Sequence, residues 1–340
     1  RITYDLNPKA VWEDGSPITA ADFECTWEAS LNTPKSIATT GYDQITSVSA
    51  GTSPAQVVVD FKTIYAPYRT LFSGIIKKAG VANCKDISGD FQQEIKQSGR
   101  AMMLESFSKD QLVLVPNEKY WGTPAVAKKI VIVPKADSDT EVAALKAGEV
   151  DFIYPQFNAS LADSLKDPNI KLQVDFGGDY EGLYFQEKSG PFADPVYRKA
   201  FALSIDREAL FAQIYTPLVP GLDAKLLQCG PIVPGPYCDD AFSAVKYDAA
   251  AAAKMLTDAG WKKNADGMWA DKDGKVPHVR WMINAGNKRR ESTQAYLLPL
   301  FKAAGFDVAA DNCDAACVFQ KRLPAMDYDL GMYISTAPPD

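Results

Sequence analysis

The sequence contains a single histidine, His278, among 340 residues. A metalloprotease helix needs two histidines four residues apart with a glutamate between them, and this spacing is absent. A Ser-His-Asp or Cys-His enzyme would have to use His278, which stands in an alternating, strand-like segment, and no Gly-x-Ser-x-Gly turn supplies a nucleophile. We therefore interpret His278 as a partly exposed strand residue and expect no hydrolase of these types.

Nucleotide-binding loops and an excess of positive charge are also missing. Neither Gly-x-x-x-x-Gly-Lys-[Ser/Thr] nor Gly-x-Gly-x-x-Gly after a strand occurs in the sequence. The chain carries 36 basic and 43 acidic residues, a formal charge of -7, which is the wrong sign for binding a phosphate backbone. We therefore expect no nucleotide chemistry and no nucleic-acid partner.

Long apolar runs are absent as well. The stretches Val57–Val59 and Ile130–Val133 are far shorter than the roughly 20 residues that span a bilayer. The chain begins at Arg1 without a methionine or a signal segment. We therefore expect any targeting piece, and any lipid anchor to a membrane, to lie outside this sequence.

The composition is that of an ordinary folded protein, with 46% apolar and 23% charged residues. A chain of 340 residues exceeds the size at which one core usually keeps growing, so we expect two or more domains. The alternation of strands with capped helices predicts α/β lobes with mixed sheets. Periodicity and end signals predict strands at 2–6, 56–61, 111–115, 129–133, 150–154, 278–283, 306–309 and 328–333, and helices at 20–31, 139–147, from 195, from 206, from 248 and at 291–304.

Six cysteines, an even number, favour disulfide bonds. Cys229 and Cys238 flank a turn-rich segment, where a bridge would remove conformations from a loop that no helix or sheet holds. Cys313 and Cys317 would lie one turn apart on a helix, with β-carbons too far apart to bridge. Their disulfide therefore requires a non-helical turn.

Cys25 and Cys84 remain as a third, long-range pair, although six cysteines allow 15 connectivities. Free buried thiols are one alternative. A zinc site is another, but a closed site needs four ligands and the Cys-x3-Cys spacing lacks a matching second half. Even one disulfide indicates an oxidising, extracytoplasmic compartment.

Five sequence blocks occur in the order typical of one known family. Residues Val11 to Phe23 read VWEDGSPITAADF, which resembles the W-x-D-G-x-P-(hydrophobic)-T-A-x-D-(hydrophobic) signature of the family 5 extracytoplasmic solute-binding proteins, the peptide-binding receptors of ABC importers. Each block also has a structural reading as a turn, a helix cap or a helix stop, so the blocks identify the family without forming its site. The other four blocks are 117–122 (NEKYWG), 145–152 (LKAGEVDF), 191–201 (PFADPVYRKAF) and 204–208 (SIDRE).

The sequence departs from the family pattern at two places. Residues 98–102 read SGRAM where relatives usually have G-x-G-P-Y, and Ser335 stands near a position where many relatives carry tryptophan. These changes indicate a pocket that differs from that of ordinary oligopeptide receptors. The chain also begins and ends inside the family pattern, so we expect a piece that is shortened at both ends.

The resemblance implies an α/β fold of the periplasmic-binding-protein type (type II with an accessory domain), its mixed sheets flanked by helices. The implied domains are an accessory small domain over 1–86, part of a first lobe over 87–178 and a second lobe over 179–340. By the same resemblance the protein captures a peptide or similar solute between two lobes for an ABC transporter and does not alter it chemically. We expect a monomer without a cofactor, working with a transporter permease, as a cell-surface lipoprotein or in the periplasm.

The segment 179–186 corresponds, by this resemblance, to a strand that lines the family's cleft. Alternation places Tyr180, Gly182 and Tyr184 on one face and the residues between them, beginning with Glu181, on the other. Tyrosines offer an apolar body with a polar tip, and Gly182 lets a ligand backbone come close. Core packing is the alternative for the tyrosines. Glu181 would bind a ligand amine if the register were shifted by one residue, and a solvated acid is its alternative.

The resemblance adds four looser ligand-binding candidates, Ser98, Gly99, Ser335 and Thr336. Two other function classes stay open: a glycoside hydrolase that uses two carboxylates, because 43 acidic residues offer many pairs, and a sensory or adhesive surface module that does not transport. Among receptors, nickel chelates, haem and oligosaccharides are the family's alternatives to peptide. A single histidine argues against direct metal capture.

Overall fold

The structure is a computed structural model of mixed α/β class. Its contacts divide the chain into two compact units between Pro134 and Lys135, which we call the first unit and the second unit. The three-part division predicted from the sequence, with boundaries after 86 and 178, stays a prediction. The structure describes residues 1–34, 36, 39–92, 94, 95, 97–135, 137–155, 161, 167–173, 179–218, 226, 228, 229 and 241–336.

Strands and helices alternate along most of the described chain, as predicted. The strands are β1 (Ile2–Asp5), β2 (Ile45–Ala50), β3 (Gln56–Phe61), β4 (Met102–Phe107), β5 (Leu112–Pro116), β6 (Ile130–Ile132), β7 (Asp179–Phe185), β8 (Lys262–Lys263), β9 (Trp269–Ala270), β10 (His278–Met282), β11 (Asp307–Ala310) and β12 (Leu330–Thr336). The α-helices are α1 (Ala20–Asn32), α2 (Ser138–Lys146), α3 (Pro195–Leu203), α4 (Arg207–Leu210), α5 (Ala249–Asp258) and α6 (Lys288–Ala304). No helix in the described ranges has the length and apolarity that a bilayer crossing requires.

The first unit packs α1 against an antiparallel sheet of order β1-β3-β2. Helix α1 begins after Thr19, whose backbone N–H donates to the Asp22 carboxylate at 2.8 Å, which confirms the predicted capping pair. Phe23 on the buried face of α1 packs with Val57 and Val59 of β3, both fully buried. A second antiparallel sheet of this unit has the order β4-β5-β6.

Asp22 joins three separate segments of the first unit. Besides Thr19, its carboxylate accepts hydrogen bonds from the Trp12 indole Nε1 at 3.4 Å and from the Lys78 backbone N–H at 2.8 Å. Asp22 is 5% exposed, so these donors replace the water that the buried charge loses. The residues of the block 11–23 therefore organise the unit, as their structural reading predicted.

Two predicted disulfides are confirmed. Cys25 on α1 bonds to Cys84, and Cys313 bonds to Cys317. Cys313 lies outside any helix, in an isolated bridge with Asn284, which meets the requirement for a non-helical geometry. For the third predicted pair, Cys229 is buried and disulfide-bonded, and Cys238 lies outside the described residues.

The second unit is built on a mixed sheet of order β11-β10-β12-β7. Strand β10 runs parallel to both β11 and β12, whereas β7 runs antiparallel to β12. Helices α3, α5 and α6 bury their apolar stripes in one core with one face of this sheet, centred on Phe201, Trp281 and Phe301. Asp194 caps α3 as predicted, its carboxylate accepting from the Val196 backbone N–H at 2.7 Å, with proline in the first turn.

Some element predictions were wrong or incomplete. Residues 150–154 form no strand; Phe152 and Tyr154 are 78% and 85% exposed, and no described strand lies alongside to satisfy the backbone. Helix α6 begins one turn before the predicted residue 291, because the Asn287 side chain caps it by accepting from the Arg290 backbone N–H. Strands β2, β4, β8 and β9 were not predicted, since they lack a clear apolar alternation.

Candidate functional site

The pairing of β7 with β12 brings the predicted strand face next to predicted Ser335. In the antiparallel register Tyr180 lies opposite Ser335, and Gly182 lies opposite Tyr333. Residues directly opposite in a sheet point to the same side, so these four residues and Tyr184 share one face, which we call the tyrosine face. The intervening Leu183 and Phe185 pack against the core on the other side. The predicted alternation is therefore present in the structure.

The tyrosine face is a stacked and hydrogen-bonded surface. The rings of Tyr184 and Tyr333 are nearly parallel, 9° apart, with their centroids separated by 4.0 Å. The Tyr184 hydroxyl and the Ser335 Oγ lie 2.7 Å apart, and Tyr184 also forms a hydrogen bond with Tyr180. All four side chains are partly buried, so they present both flat apolar area and polar tips.

Gly182 lies beside the Tyr184 ring on this face. A β-carbon at position 182 would lie 3.4 Å from the Tyr184 ring, an ordinary van der Waals contact, and the backbone of Gly182 has no positive φ. Neither strain nor a clash therefore requires glycine here. The Tyr184 ring occupies the space beside the Gly182 α-carbon, and the predicted close approach of a ligand backbone at Gly182 stays a prediction.

Burial raises the pKa of two hydroxyls on the tyrosine face, those of Tyr184 and Tyr333. Loss of hydration raises the pKa of Tyr184 to about 12, with a further upward contribution from the hydrogen bond with Tyr180. Burial likewise raises the pKa of Tyr333. The face therefore offers hydrogen-bond donors and acceptors rather than charge throughout the neutral pH range.

Glu181, on the opposite side of β7, is bound by two arginines of α6. Its Oε2 accepts from the Arg289 Nε at 2.8 Å, and its Oε1 accepts from the Arg290 Nε at 2.5 Å. The Glu181 side chain is only 10% exposed, so the solvated-acid interpretation was wrong. The register is the unshifted one, and a ligand amine would have to displace an arginine; the predicted amine-binding role stays untested.

Ser98 and Gly99 lie in the first unit and serve its internal contacts. The Ser98 backbone N–H donates to Glu13 at 2.7 Å, its hydroxyl donates to the Met102 carbonyl at 2.7 Å, and its own carbonyl accepts from the Asn117 side chain. Gly99 packs under Ile18, where a β-carbon would come within 3.3 Å. Their predicted role in ligand binding stays a prediction.

A cavity of about 460 Å³ lies beside Ser98 in the first unit. Glu13 and Lys77 line it, and the Lys77 Nζ lies 2.7 Å from both Glu13 and Asp14. Lys77 is the main reason that the pKa of Asp14 is held far below its ordinary value. Lys77 contacts both carboxylates, which favours a structural role for this cluster.

Thr336 ends strand β12, where its backbone pairs with that of Asp179. This pairing places it one residue beyond the Ser335–Tyr180 pair. Because β7 is antiparallel to β12, its first residues lie at the same sheet edge as the carboxyl ends of β12 and β10. We call this edge, marked by Tyr180, Ser335 and Asn284, the carboxyl edge of the second-unit sheet.

A family model described as bacterial extracellular solute-binding proteins, family 5 (middle), matches residues 1–340. The chain belongs to this family. The sequence resemblance stated above is thereby confirmed.

Curated proteins are similar to this chain at low identity. The probable monoacyl phosphatidylinositol tetramannoside-binding protein LpqW of Mycobacterium tuberculosis is 31% identical over 167 residues, 44% of this chain and 26% of that protein. The oligopeptide-binding protein AppA of Bacillus subtilis is 28% identical over 263 residues, 74% of this chain and 44% of that protein. The chain thus spans about half the length of these curated relatives or less.

Solved family 5 structures share the fold. AppA of Bacillus subtilis in complex with a nonapeptide superposes with a TM-score of 0.83 at 22% identity, covering 99% of this chain and 68% of that one. The periplasmic EDTA-binding protein EppA superposes with a TM-score of 0.82 at 23% identity, covering 98% and 65%. The expected periplasmic-binding-protein fold is confirmed.

Sequence reasoning missed three residues of this family 5 chain that belong to the site or adjoin it: Tyr333, Arg289 and Arg290. Tyr333 was visible in the pattern, since it stands two positions before Ser335 in a predicted strand. Arg289 and Arg290 precede the predicted helix start at residue 291, so the sequence pattern gave no reason to single them out. Cations in the first turn of a helix are unfavourable for the helix dipole, and this would have marked the doublet as unusual had the start been predicted correctly.

Proposed function

We propose that the chain is the solute-capturing part of an extracytoplasmic binding protein of an ABC importer, and that it takes a peptide or peptide-sized solute at the tyrosine face. The observation that carries the proposal is the stacked Tyr184–Tyr333 pair with Ser335 at the carboxyl edge. Ligands of open α/β sheets commonly bind outside the carboxyl ends of the strands. Family membership and the similarity to peptide-binding AppA favour this solute class.

The chemistry of the face suits a peptide. The ring planes bury apolar side chains, while the Tyr184 and Ser335 hydroxyls donate to or accept from a peptide backbone. None of these contacts activates a nucleophile, so the solute leaves chemically intact.

The remaining features of the proposal follow from the family. The partner is a transporter permease, the binding protein acts as a monomer outside the cytoplasm, and a lipid anchor holds it at the membrane surface where the envelope requires one. The solute is not hydrolysed. Turnover of an oligosaccharide or peptide on incubation would replace the proposal with the glycosidase alternative or another hydrolase.

Tyr184→Ala tests the site. We expect the variant to bind a peptide that co-purifies with the unaltered chain at least 10-fold more weakly, because a buried aromatic contact contributes about 1.5–3 kcal/mol. Native mass spectrometry identifies the co-purified peptide, and isothermal titration calorimetry measures its dissociation constant.

Tyr247→Ala is the matched control, since Tyr247 lies in the second unit and is 52% exposed outside the tyrosine face. It should leave the dissociation constant unchanged. Equal affinity of the Tyr184→Ala variant and the unaltered chain, with both folded by circular dichroism, would remove the tyrosine face from the site.

A further inference from the structure

The cluster around Glu181 contains more positive charge than negative. Two guanidinium groups, of Arg289 and Arg290, contact one carboxylate. The three side chains are 12%, 3% and 10% exposed in the order Arg289, Arg290, Glu181. Among the described residues the cluster therefore holds an excess of one positive charge in a largely buried place.

The neutral neighbours of the cluster do not balance this excess. The Arg290 Nη1 donates to the Asn284 side chain, and the Thr293 hydroxyl donates to the Arg289 carbonyl at 2.9 Å. Tyr215, which lies within electrostatic reach of Glu181, has its pKa raised by burial and is neutral. Asn284 orients the Arg290 guanidinium, and none of these groups carries a charge.

Two acidic groups near the first turn of α6, one on that turn and one at the start of α2, are already engaged. The Glu291 carboxylate lies 3.3 Å from the Lys288 Nζ and accepts from the Gly286 backbone N–H at 2.8 Å. Asp137, which also interacts with Lys288, caps α2 by accepting from Thr140. Within the described part of the chain, Glu181 is the one carboxylate that contacts Arg289 or Arg290.

An uncompensated cation in such a place lowers stability, because burial removes its hydration. The first turn of α6 adds to the cost, since the positive end of the helix dipole lies there. Binding of an anion offsets both costs. A carboxylate fits best, because a guanidinium presents parallel donors to its two oxygens.

The two arginines differ in their availability. Arg290 is held between Glu181 and Asn284 and is 3% exposed, so it is a fixed part of the site. Arg289 is four times as exposed, at 12%, and its contacts to Glu181 come from Nε and Nη2 on one side of the guanidinium. Arg289 is thus the group that an entering anion reaches.

The cluster lies on the opposite side of β7 from the tyrosine face, at the same carboxyl edge. Glu181 follows Tyr180 directly in β7, and Asn284 follows β10, so the arginines that bind them lie at the carboxyl edge. An extended solute whose body rests on Tyr184 has a terminal group within a few residues' length of this edge.

We propose that Arg289 binds a carboxylate of the captured solute, and that Glu181 and Arg290 hold the Arg289 guanidinium in position. For a peptide, this group is the terminal carboxylate. The inference rests on the proposed function for the solute class. In it, the buried arginine cluster recognises the negative charge of the solute.

The test compares two libraries of tetrapeptides made from Ala, Gly, Leu and Phe, one with free terminal carboxylates and one with terminal amides. We expect the unaltered chain to bind the carboxylate library about 10-fold or more tightly than the amide library, as measured by native mass spectrometry titration. Arg289→Gln should lose that preference and bind the amides as the unaltered chain does. Arg289→Lys should restore part of the preference.

Lys288→Gln is the matched control, because it removes the same charge one residue earlier from a side chain that is 52% exposed. It should keep the full preference for carboxylates. Equal binding of both libraries by the unaltered chain, or an undiminished preference in Arg289→Gln, would overturn the inference and leave the proposed function standing.

If neither library binds, the proposed peptide function fails, and succinate then tests the anion site alone. A rise in Tm of the unaltered chain with 10 mM succinate that Arg289→Gln abolishes supports the inference. An unchanged Tm, or an equal rise in the variant, overturns it.

Discussion

At the scale of single residues, the same strand of the second unit uses its two sides for different chemistry. The tyrosines of β7 turn neutral hydroxyls to one side, while Glu181 meets two guanidinium groups on the other. Alternation along the strand makes this separation possible within three residues. At the carboxyl edge, aromatic rings and a charged cluster therefore lie on opposite sides of one strand.

The raised tyrosine pKa predicts a loss of stability at alkaline pH. The unfolded chain ionises tyrosine near the ordinary pKa of 10.0, whereas folded Tyr184 ionises at about 12. Its contribution to stability is therefore complete below pH 10 and disappears as the pH rises through 12. We expect the free energy of unfolding in urea to fall less between pH 9 and pH 11 in Tyr184→Phe than in the unaltered chain.

Tyr154→Phe serves as the control for this measurement, since Tyr154 is 85% exposed. The free energy of unfolding of Tyr154→Phe should fall as steeply between pH 9 and pH 11 as that of the unaltered chain. Parallel pH dependence of Tyr184→Phe and the unaltered chain would mean that the Tyr184 hydroxyl does not resist ionisation in the folded state.

At the scale of elements, sequence reasoning succeeded where one local signal sufficed. The start of α1 follows from Thr19 and Asp22, and the start of α3 follows from Asp194 and its proline. The strand at β7 was predicted from the family resemblance, and its two faces follow from alternation. These features depend on neighbours within a few positions.

Sequence reasoning failed where a distant partner decides the outcome. The apolar residues of 150–154 predicted a strand, but a strand forms only where a neighbouring strand pairs with its backbone, and no described strand does so here. The arginines that bind Glu181 lie more than 100 positions away, with separations of 108 and 109. No pattern within β7 could have indicated that its carboxylate was already engaged.

The two confirmed disulfides should differ in their effect on stability. Cys25 and Cys84 are 59 positions apart, and Cys313 and Cys317 are 4 apart. The loop-closure model gives about 4 kcal/mol for the first and about 2 kcal/mol for the second. We expect the Cys25→Ala, Cys84→Ala double variant to lose more free energy of unfolding than the Cys313→Ala, Cys317→Ala double variant, as guanidinium chloride titration measures.

The shorter-range pair is the control in this comparison, because both variants remove two thiols. An equal loss in the two double variants would show that constraint of the unfolded chain does not govern these bonds.

At the scale of the whole molecule, each of the two compact units contains its own hydrophobic core. One is centred on Phe23 and Val57 in the first unit, the other on Phe201 and Trp281 in the second. We expect differential scanning calorimetry to resolve two unfolding transitions, because each core is complete within its own unit. A peptide that binds the tyrosine face should raise the Tm of one transition, that of the second unit.

Loss of the Cys25–Cys84 bond assigns the transitions, since it should lower the Tm of the other one. A single transition that peptide and disulfide removal shift together would show that the units unfold as one body.

The hydrogen bonds of Asp22 show that the family signature in residues 11–23 has a structural role. The Asp22 carboxylate accepts hydrogen bonds from a helix start, an indole and a distant main-chain amide. The block 11–23, which carries the family signature, therefore stabilises the fold of the first unit. A match to this block alone indicates the fold and gives no information about the bound solute. For chains of this kind, the choice of solute should be sought in the side chains at the far end of the second-unit sheet.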